Sequence, residues 1–377
     1  MNSTLRVGVI GAGRIGTLHC ENLATRIPGA AVTALAEPDL PRLRATAARF
    51  AIQTAETDYR KVLKDPAIDA VAICSPTNLH AQMVREAAAA GKHIFCEKPI
   101  DLSLDRIRET LVAVERSGVA LMVGFNRRFD ANFMKVRELV RTGKVGSVHI
   151  VRITSRDPAP PPASYIAVSG GLFLDMAIHD FDMARYLAGD EIEEVYARGE
   201  VLVDPMFREA GDIDTAVTTL RFRGGAIGTI DNSRKAVYGY DQRVEVFGSE
   251  GMATVTNNSP DTHSLSDRSG THASLPLHFF MDRYVESYRT EMVAFVEAVM
   301  NGTEPPVGGR TDCFRSRSAL PRRSLSPRIV PSGSPSCCDL CGTYRVRDPC
   351  RPWRSQAFWA GPGHGWHPQD FPRSRRA

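Results

Sequence analysis

The chain has 377 residues, a formal net charge of +4 and a hydrophobic fraction of 43%, which suit a globular protein of two ordinary domains. No apolar run reaches the roughly 18 residues that a membrane-spanning helix requires. The N-terminus enters a strand without the basic, apolar and cleavage regions of a secretory signal. We therefore expect a cytoplasmic protein that is neither exported nor inserted in a membrane.

The basic charge comes from the last part of the sequence. Residues 311–377 contain twelve Arg, four Asp and neither Lys nor Glu, so they carry +8 and residues 1–310 carry −4. The positive net charge of the whole chain therefore gives no reason to expect nucleic-acid binding. The same segment holds nine Pro, nine Ser and all three Trp, without helical or strand periodicity. We interpret it as a frameshift product; the alternative is a genuine disordered extension rich in Arg, Ser and Pro.

The cysteines divide in the same way. Cys20, Cys74 and Cys96 are the three outside the tail, and we expect small, buried thiols in a reducing compartment. The tail holds the other five, including one CxxC pair, Cys338 and Cys341. Because the remaining Cys and His residues are irregularly spaced, this pair does not predict a zinc site. We expect no metal in the protein.

A buried strand over Leu5–Ile10 runs directly into the sequence GAGRIG at residues 11–16, which opens a helical pattern. Glu37 follows the next apolar run and lies 21 positions after Gly16. This context predicts a dinucleotide site. Gly11 permits the tight turn, Gly13 lets the backbone approach the pyrophosphate, and Gly16 lets helix and strand pack closely.

Glu37 indicates which dinucleotide binds. A carboxylate at this position accepts hydrogen bonds from the ribose hydroxyl groups of the adenosine and repels a 2′-phosphate. The following residues, Pro38 and Asp39, supply no arginine that would receive such a phosphate. The sequence therefore predicts NAD rather than NADP. The remaining alternative is an α/β fold that binds no cofactor.

Strands and helices continue to alternate after Glu37. Strands are predicted over Ile68–Ile73, His93–Cys96 and Val119–Val123, and helices over Thr77–Ala90 and Ser103–Ser117. This alternation predicts a doubly wound parallel sheet with right-handed crossovers. Ligands of such sheets bind beyond the carboxyl ends of the strands, so the residues at those ends are candidate site residues.

Polar residues stand at these strand ends. Thr77 and Asn78, after the strand over 68–73, suit helix capping or cofactor contact, and His80 suits capping or packing better than catalysis. Lys98 ends the next strand, where its ammonium can donate to a substrate oxygen. Pro99 restricts the Lys98 backbone and permits a cis peptide. The alternative for Lys98 is an ordinary solvated Glu-Lys pair.

Asp175 and His179 stand four residues apart in the sequence GGLFLDMAIHD at residues 170–180. On a helix over about Asp175 to Leu187, this spacing places both side chains on one face. Asp175 can then hydrogen-bond His179 or a shared substrate, which leaves His179 for proton transfer. The alternative is an ordinary pair on a helix surface.

The second half of the chain contains consecutive strands without crossover helices. They are predicted at residues 148–154, 192–203, 214–222, 226–233, 242–248 and 251–256, with helices over Asp130–Arg141 and Arg283–Met300. Such a series predicts a large, open, mostly antiparallel sheet with one face available to a partner.

GAGRIG, SPTNLH, EKP, GFNRRFD and GGLFLDMAIHDFDMARYLAG, in this order, resemble the Gfo/Idh/MocA oxidoreductase family. The last of them is most similar to the branch that oxidises inositol. The resemblance covers residues 5 to about 310. It implies an N-terminal Rossmann domain, a C-terminal α/β domain with an open, mostly antiparallel sheet, and a homotetramer that often forms through the sheet face.

The resemblance also implies the site residues. Lys98, Asp175 and His179 form the catalytic group, and Arg128 of the pair Arg127-Arg128 contacts the substrate. Asp157 and Tyr238, with Tyr240 as the fallback, fall where inositol-binding residues are expected. The cofactor residues are Gly11, Gly13, Arg14, Ile15, Gly16, Glu37, Ser75, Pro76, Thr77, Asn78, His80, Glu97 and Lys98.

We therefore predict a Rossmann domain over residues 1–124, a substrate domain over 125–310 and an aberrant tail over 311–377. The predicted activity is NAD-dependent oxidation of a cyclic polyol, most plainly myo-inositol to its 2-keto form, with His179 as the general base. The alternatives are another sugar or polyol dehydrogenase of the family, of scyllo-inositol or glucose type, and a cofactor-binding sensor without turnover.

Overall fold

The computed structural model describes residues 4–308, which form two six-stranded sheets, one two-stranded sheet and eleven α-helices. The segment interpreted as a frameshift product, with its Cys338–Cys341 pair, lies outside the described residues. None of the helices within residues 4–308 is both long enough and apolar enough to cross a membrane.

The first sheet is parallel throughout, in the order β3-β2-β1-β4-β5-β6. Its strands are β1 (Leu5–Ile10), β2 (Ala30–Ala36), β3 (Thr54–Glu56), β4 (Ala70–Ile73), β5 (His93–Glu97) and β6 (Leu121–Gly124). Every residue of β4 is buried, because helices cover both faces of the sheet. The predicted doubly wound sheet is confirmed. Only β3 was not predicted, because its three residues form no apolar run.

Five helices connect these strands. They are α1 (Arg14–Glu21), α2 (Leu40–Arg49), α3 (Tyr59–Lys64), α4 (Thr77–Ala89) and α5 (Leu104–Ser117), and α1 continues as a π-helical turn over Asn22–Arg26. Their ends follow from local chemistry. The Asp39 side chain accepts from the backbone N–H of Arg42 at the start of α2. Gly118 ends α5 in the left-handed conformation, with φ of 70°, which glycine adopts without steric cost.

The second sheet has the order β12-β11-β7-β10-β9-β8. Its strands are β7 (Val148–Arg156), β8 (Ile192–Glu200), β9 (Thr215–Phe222), β10 (Ile227–Ser233), β11 (Asp241–Gly248) and β12 (Gly251–Val255). All neighbours are antiparallel except β7 and β10, which pair in parallel. The predicted mostly antiparallel sheet is therefore confirmed, and the parallel pair places the ends of β7 and β10 side by side.

The remaining elements surround this second sheet. They are the 3-10 turn Asn126–Phe129, α6 (Ala131–Arg141), α7 (Ala163–Ser169), the π-helical turn Phe173–Ala177, α8 (Ile178–Ala188), α9 (Met206–Glu209), the hairpin β13 (Ser264–Asp267) and β14 (Gly270–Ala273), α10 (Phe280–Arg283) and α11 (Val285–Met300). One face of the sheet packs against α8. On the other face, which we call the outer face, Tyr196, Val217, Ile227, Phe247 and Met252 are exposed.

The helix α11 belongs by sequence to the second domain but packs against the first sheet. Met292 and Phe295 share one buried cluster with Val9 and Phe95 of that sheet. Residues 307–308 return to its edge, where Val123 donates its N–H to the Val307 carbonyl at 2.9 Å. The hydrophobic core therefore extends across the predicted boundary between residues 1–124 and residues 125–310. The two domain ranges stay predictions.

We predict that Gly16→Ala destabilises the protein and that Gly13→Ala does not. A Cβ on Gly16 would lie 2.0 Å from the Gly11 carbonyl oxygen, whereas a Cβ on Gly13 would meet nothing within 4 Å. Forcing α1 away from β1 should lower the free energy of unfolding by about 2 kcal/mol or more. Chemical denaturation of both variants measures this. Equal stability of the two would contradict the predicted close approach at Gly16.

Candidate active site

The glycine-rich loop between β1 and α1 has the shape that a dinucleotide phosphate requires. Gly11 has φ of +98°, and a Cβ there would lie 2.6 Å from the Cys74 carbonyl oxygen. Gly13 immediately precedes α1 and borders open space. A helix N-terminus beside open space presents unpaired N–H groups to an anion. The loop therefore fits the pyrophosphate of NAD at the position that a Gly13 side chain would fill.

Glu37 is fixed at the end of β2. It is 4% exposed, its Oε2 accepts from the Ala12 N–H at 2.8 Å and its Oε1 accepts from the Asp39 N–H at 3.0 Å. The first turn of α2 also brings Arg42 Nη1 to 3.4 Å from Oε1. The sequence analysis found no arginine beside Glu37, because Arg42 approaches only after the chain turns into α2.

His80 has a structural role between two strand-end loops. Its Nε2 lies 2.7 Å from the Ser75 carbonyl oxygen and its Nδ1 lies 2.8 Å from the Pro99 carbonyl oxygen. The buried ring thus joins the loop after β4 to the loop after β5. This agrees with packing rather than catalysis, and a cofactor contact by His80 stays a prediction. Thr77 is the first residue of α4.

Two further predicted cofactor residues contact protein side chains. The Arg14 guanidinium lies 5.2 Å from the centre of the Phe279 ring, a cation–π distance. Glu97 Oε1 lies 2.9 Å from His19 Nε2. Glu97 is therefore engaged with α1. Contacts of Arg14, Ile15, Ser75, Pro76, Thr77, Asn78 and Glu97 with the cofactor stay predictions.

Lys98 follows a strand of the first sheet and contacts Asp175, which lies beside the second sheet. Its Nζ donates to the Asp175 carbonyl oxygen at 2.8 Å and lies 3.6 Å from Asp175 Oδ1. The Lys98–Pro99 peptide is cis. The fold thus brings together a lysine and an aspartate that are 77 residues apart in the chain, so Lys98 is not an ordinary solvated surface residue.

Asp175 and His179 do not lie on one regular α-helix. Asp175 is in the π-helical turn Phe173–Ala177, and His179 is the second residue of α8. The wider turn changes the angular spacing of the two residues. Asp175 Oδ1 accepts from the Tyr165 hydroxyl at 2.8 Å, and Oδ2 accepts from Arg234 Nη2 at 2.9 Å. Of the two alternatives for Asp175, a hydrogen bond to His179 is not formed, and a contact with a shared substrate stays a prediction.

His179 is in the state that a general base needs. Burial, with the positive charges of Lys98 and Arg127, lowers the pKa of His179 well below 6.5. Its ring packs edge-on against Phe125, and its buried Nδ1 has no hydrogen-bond partner among the described residues. The imidazole is therefore neutral at pH 7 and can accept a proton.

Arg234 is a site residue that the sequence analysis missed. Its side chain is 4% exposed and bridges two carboxylates, with Nη1 at 3.0 Å from Asp157 Oδ2 and Nη2 at 2.9 Å from Asp175 Oδ2. Burial raises the pKa of Asp175, but Lys98 and Arg234 together lower it below its ordinary value. Arg234, which belongs to none of the sequence motifs, thus links Asp157 to the catalytic candidates.

The pairing of the strands explains why Arg234 lies beside Asp157. Arg234 follows β10 and Asp157 follows β7. Because β7 and β10 are parallel, residues that follow them lie at the same edge of the sheet. The sequence analysis expected an antiparallel series, which would separate these two residues. Tyr165 was missed because it lies on the short helix α7, between a proline-rich stretch and a glycine pair.

The arginine pair after β6 is engaged in ion pairs. Arg128 forms a two-pronged pair with Asp182 of α8, at 2.7 and 2.6 Å. Arg127 is buried and donates to Asp180 Oδ1 at 2.5 Å. These contacts join the segment after β6 to α8. A direct substrate contact by Arg128 stays a prediction.

The two tyrosines differ in their surroundings. The Tyr238 hydroxyl donates to Asp241 Oδ2 at 2.6 Å and accepts from Arg156 Nη1 at 3.1 Å. Tyr240 is buried, and its hydroxyl lies 3.4 Å from Arg127 Nη2. Arg127 also lowers the pKa of His179, so Tyr240 contacts a residue whose charge acts on the catalytic candidate. A substrate contact by either residue stays a prediction.

A parallel sheet with this strand order, a glycine loop before a helix and an acidic residue directly after β2 define a dinucleotide-binding domain of the Rossmann type. The family described as "Oxidoreductase family, NAD-binding Rossmann fold" matches residues 5–125. The "GFO/IDH/MocA C-terminal domain" matches residues 133–254. The chain belongs to the Gfo/Idh/MocA oxidoreductase family.

Three known proteins illustrate the relationship. The uncharacterized oxidoreductase YrbE of Bacillus subtilis is 52% identical over 319 residues, covering 85% of this chain and 93% of the relative. A myo-inositol 2-dehydrogenase of Thermotoga maritima is 50% identical over 305 residues, covering 81% and 91%. The structure of scyllo-inositol dehydrogenase from Lactobacillus casei, with bound NAD(H) and scyllo-inositol, has a TM-score of 0.77 at 30% identity, covering 81% and 92%.

We predict that Arg234→Met costs about 3 kcal/mol of unfolding free energy, because it leaves the largely buried Asp157 without its cation and Asp175 with Lys98 alone. Arg198→Met is the matched control, since Arg198 forms an exposed pair with Glu200, and it should cost less than about 1 kcal/mol. Adding Asp157→Asn to Arg234→Met should recover part of the loss. Equal costs for the two arginine variants would show that Arg234 does not hold the carboxylates.

Proposed function

We propose that the protein oxidises a secondary alcohol of a cyclic polyol with NAD, and that myo-inositol, converted to its 2-keto form, is the preferred substrate. The observation that carries the proposal is the meeting of Lys98 and Asp175 beside His179, whose imidazole is neutral at pH 7. The named activities of the relatives support the choice of inositol.

Each residue of this group has one role. His179 accepts the proton of the reacting hydroxyl. Lys98 donates a hydrogen bond to the same oxygen and stabilises the charge that develops on it. Asp175 is held by Tyr165 and Arg234 and accepts from the substrate. Bound NAD supplies the hydride acceptor, and its pyrophosphate would be held at Gly13 and its adenosine ribose by Glu37.

The charge pattern fits a polyol. Asp157 and Asp175 are both held by Arg234, so two carboxylates converge on one side of the group. Carboxylates accept hydrogen bonds, and neighbouring hydroxyl groups of a cyclic polyol donate them. Asp157 is therefore proposed to bind substrate.

Two other functions make different predictions. A scyllo-inositol or glucose-type dehydrogenase would share the same group, and a scyllo-inositol enzyme is among the relatives. A sensor without turnover would bind NAD alone. The test is the specificity constant for myo-inositol, scyllo-inositol and glucose, each with NAD and with NADP, from the absorbance of the reduced nicotinamide. NAD binding without turnover of any polyol would overturn the proposed activity.

We propose a cytoplasmic location, supported by Cys20, Cys74 and Cys96, all of which are free thiols.

We also propose a homotetramer that assembles through the outer face of the second sheet. The exposed apolar residues of that face support the proposal, since monomers rarely expose contiguous apolar patches of this kind.

We predict that Ile227→Glu shifts the assembly to a smaller species in sedimentation equilibrium, because a carboxylate on the outer face opposes apolar burial. Val112→Glu, on α5 and similarly exposed, should leave the mass unchanged. A wild-type protein that sediments as a monomer at micromolar concentration would refute the tetramer.

We predict that His179→Ala lowers kcat by about 10²- to 10⁴-fold, the range for losing a general base, while NAD still binds. His272→Ala is the control, because His272 lies on the exposed hairpin strand β14, away from the outer face. Steady-state kinetics and NAD titration measure the two effects. Wild-type turnover in His179→Ala would remove His179 from the mechanism.

A further inference from the structure

A second group of titratable side chains includes the residue directly before Lys98. His19 of α1, Glu97 at the end of β5 and Glu291 of α11 place their ligating atoms within 4.8 Å of one another. Glu291 is 0% exposed, and no hydrogen-bond donor among residues 4–308 reaches either of its carboxylate oxygens. The mechanism proposed above uses none of these three side chains.

The surroundings of this group are apolar and aromatic. The His19 ring packs against Phe95 and Tyr288, with ring centres 5.0 and 5.8 Å apart. Met292, next to Glu291, lies in the same buried cluster as Phe95. Two carboxylates cannot both stay ionised in such surroundings without a large desolvation cost, so one proton shared between them is the usual solution.

The other titratable groups nearby do not remove this conflict. Burial, with the charge of Glu97, raises the pKa of the Tyr288 hydroxyl and of the Cys74 thiol well above their ordinary values. Both groups are therefore neutral at pH 7. The third member of the group is His19, whose Nε2 already lies 2.9 Å from Glu97 Oε1.

A metal ion is the other way to satisfy two carboxylates and an imidazole. Ligands of a tetrahedral zinc ion lie about 3.3 Å apart, since each bond is about 2.0–2.1 Å long. The separation of 2.9 Å between His19 Nε2 and Glu97 Oε1 is that of a direct hydrogen bond. The His19–Glu97 contact is therefore that of a hydrogen bond rather than of two ligands on one zinc ion.

We propose that Glu291 is a neutral carboxylic acid that shares its proton with Glu97, and that the series Glu291–Glu97–His19 is a positioning element for Lys98. The role in catalysis rests on the proposed function; the shared proton does not. Glu97 Oε2 lies against β6, where a Cβ on Gly124 would be 3.0 Å away. The carboxylate is thus confined between β6 and His19, and its orientation fixes the backbone that carries Lys98.

The series also joins three elements, two of which border the site. His19 lies on the helix that begins at the dinucleotide loop, Glu97 on the strand that ends at Lys98, and Glu291 on a helix that follows the second sheet in the chain. Removal of the hydrogen-bond donor at position 291 is therefore expected to change both the chemical step and cofactor binding.

The first test needs no substrate. Burial and Glu97 raise the pKa of Glu291 well above its ordinary 4.5. The folded state then retains a proton that the unfolded state releases above pH 4.5, so this stabilisation is complete below that pH and is lost as the pH rises through the folded pKa. The unfolding free energy of the wild type, relative to Glu291→Gln, should fall as the pH rises from 5 to 9.

Infrared spectroscopy supplies a direct readout. The wild type should show the carbonyl band of a protonated carboxyl group that is absent from Glu291→Gln and present in Glu297→Gln, the exposed control on the same helix. The proposal is overturned if the band is missing, if the two stability profiles run parallel, or if the purified protein contains a stoichiometric metal that Glu291→Gln lacks.

The second test is kinetic. Glu291→Leu should lower kcat by about 10- to 100-fold, the cost of displacing a catalytic group by roughly 1 Å, and should raise the KM for NAD. Glu291→Gln keeps a donor toward Glu97 and should restore kcat to within about threefold of wild type at neutral pH. Equal kcat in the Leu and Gln variants would contradict the positioning role. If no polyol is turned over at all, the proposed function fails while the infrared and stability results still decide the shared proton.

Discussion

The ammonium of Lys98 is the charge around which the candidate site is arranged. It ends a strand of the first sheet, donates to the Asp175 backbone and lies 3.6 Å from the Asp175 carboxylate. A cation with so little solvent requires a nearby anion. Asp175 supplies it and in turn requires Arg234 and Tyr165, which come from the end of β10 and from α7. Pairing of charges thus determines which parts of the second domain meet the first.

The same cation has a second effect. Charges alternate along the site from Lys98 to Asp175, to Arg234 and to Asp157, so most of the electrostatic field cancels over short distances. His179 lies beside this series without an anionic partner, and the nearby charges that act on it are positive. The group that polarises the substrate oxygen therefore also keeps the neighbouring imidazole unprotonated. Replacing Lys98 would alter both functions together.

Local sequence patterns predicted the dinucleotide loop and most strands of the first domain. A strand, a glycine loop and an acidic residue occur within 33 positions, from Leu5 to Glu37, and each has one structural meaning. Lys98 was predicted for a similar reason, because the end of a parallel strand is a known position for ligands. Both depend on features that lie close together in the chain.

Long-range pairing accounts for most of what was not predicted. Arg234 enters the site only because β10 runs parallel to β7, and periodicity within one strand does not report the direction of its neighbour. Asp175 and His179 were expected on one face of a regular helix, where Asp175 could contact His179 or a shared substrate. The π-helical turn changes that spacing, and apolar periodicity does not distinguish one wide turn from an α-helix. Arg42 and Tyr165 likewise depend on turns rather than on motifs.

The packing of α11 on the first sheet has an evolutionary consequence. Phe295 and Met292 fill space beside Phe95 and Val9, and Val307 pairs with the edge strand β6. The dinucleotide domain therefore completes its interior with residues encoded almost two hundred positions downstream. A recombination event that joined residues 1–124 to a different substrate domain would transfer an incomplete interior. The two domains therefore have to be inherited together. New substrate preferences are expected to arise by substitutions within them.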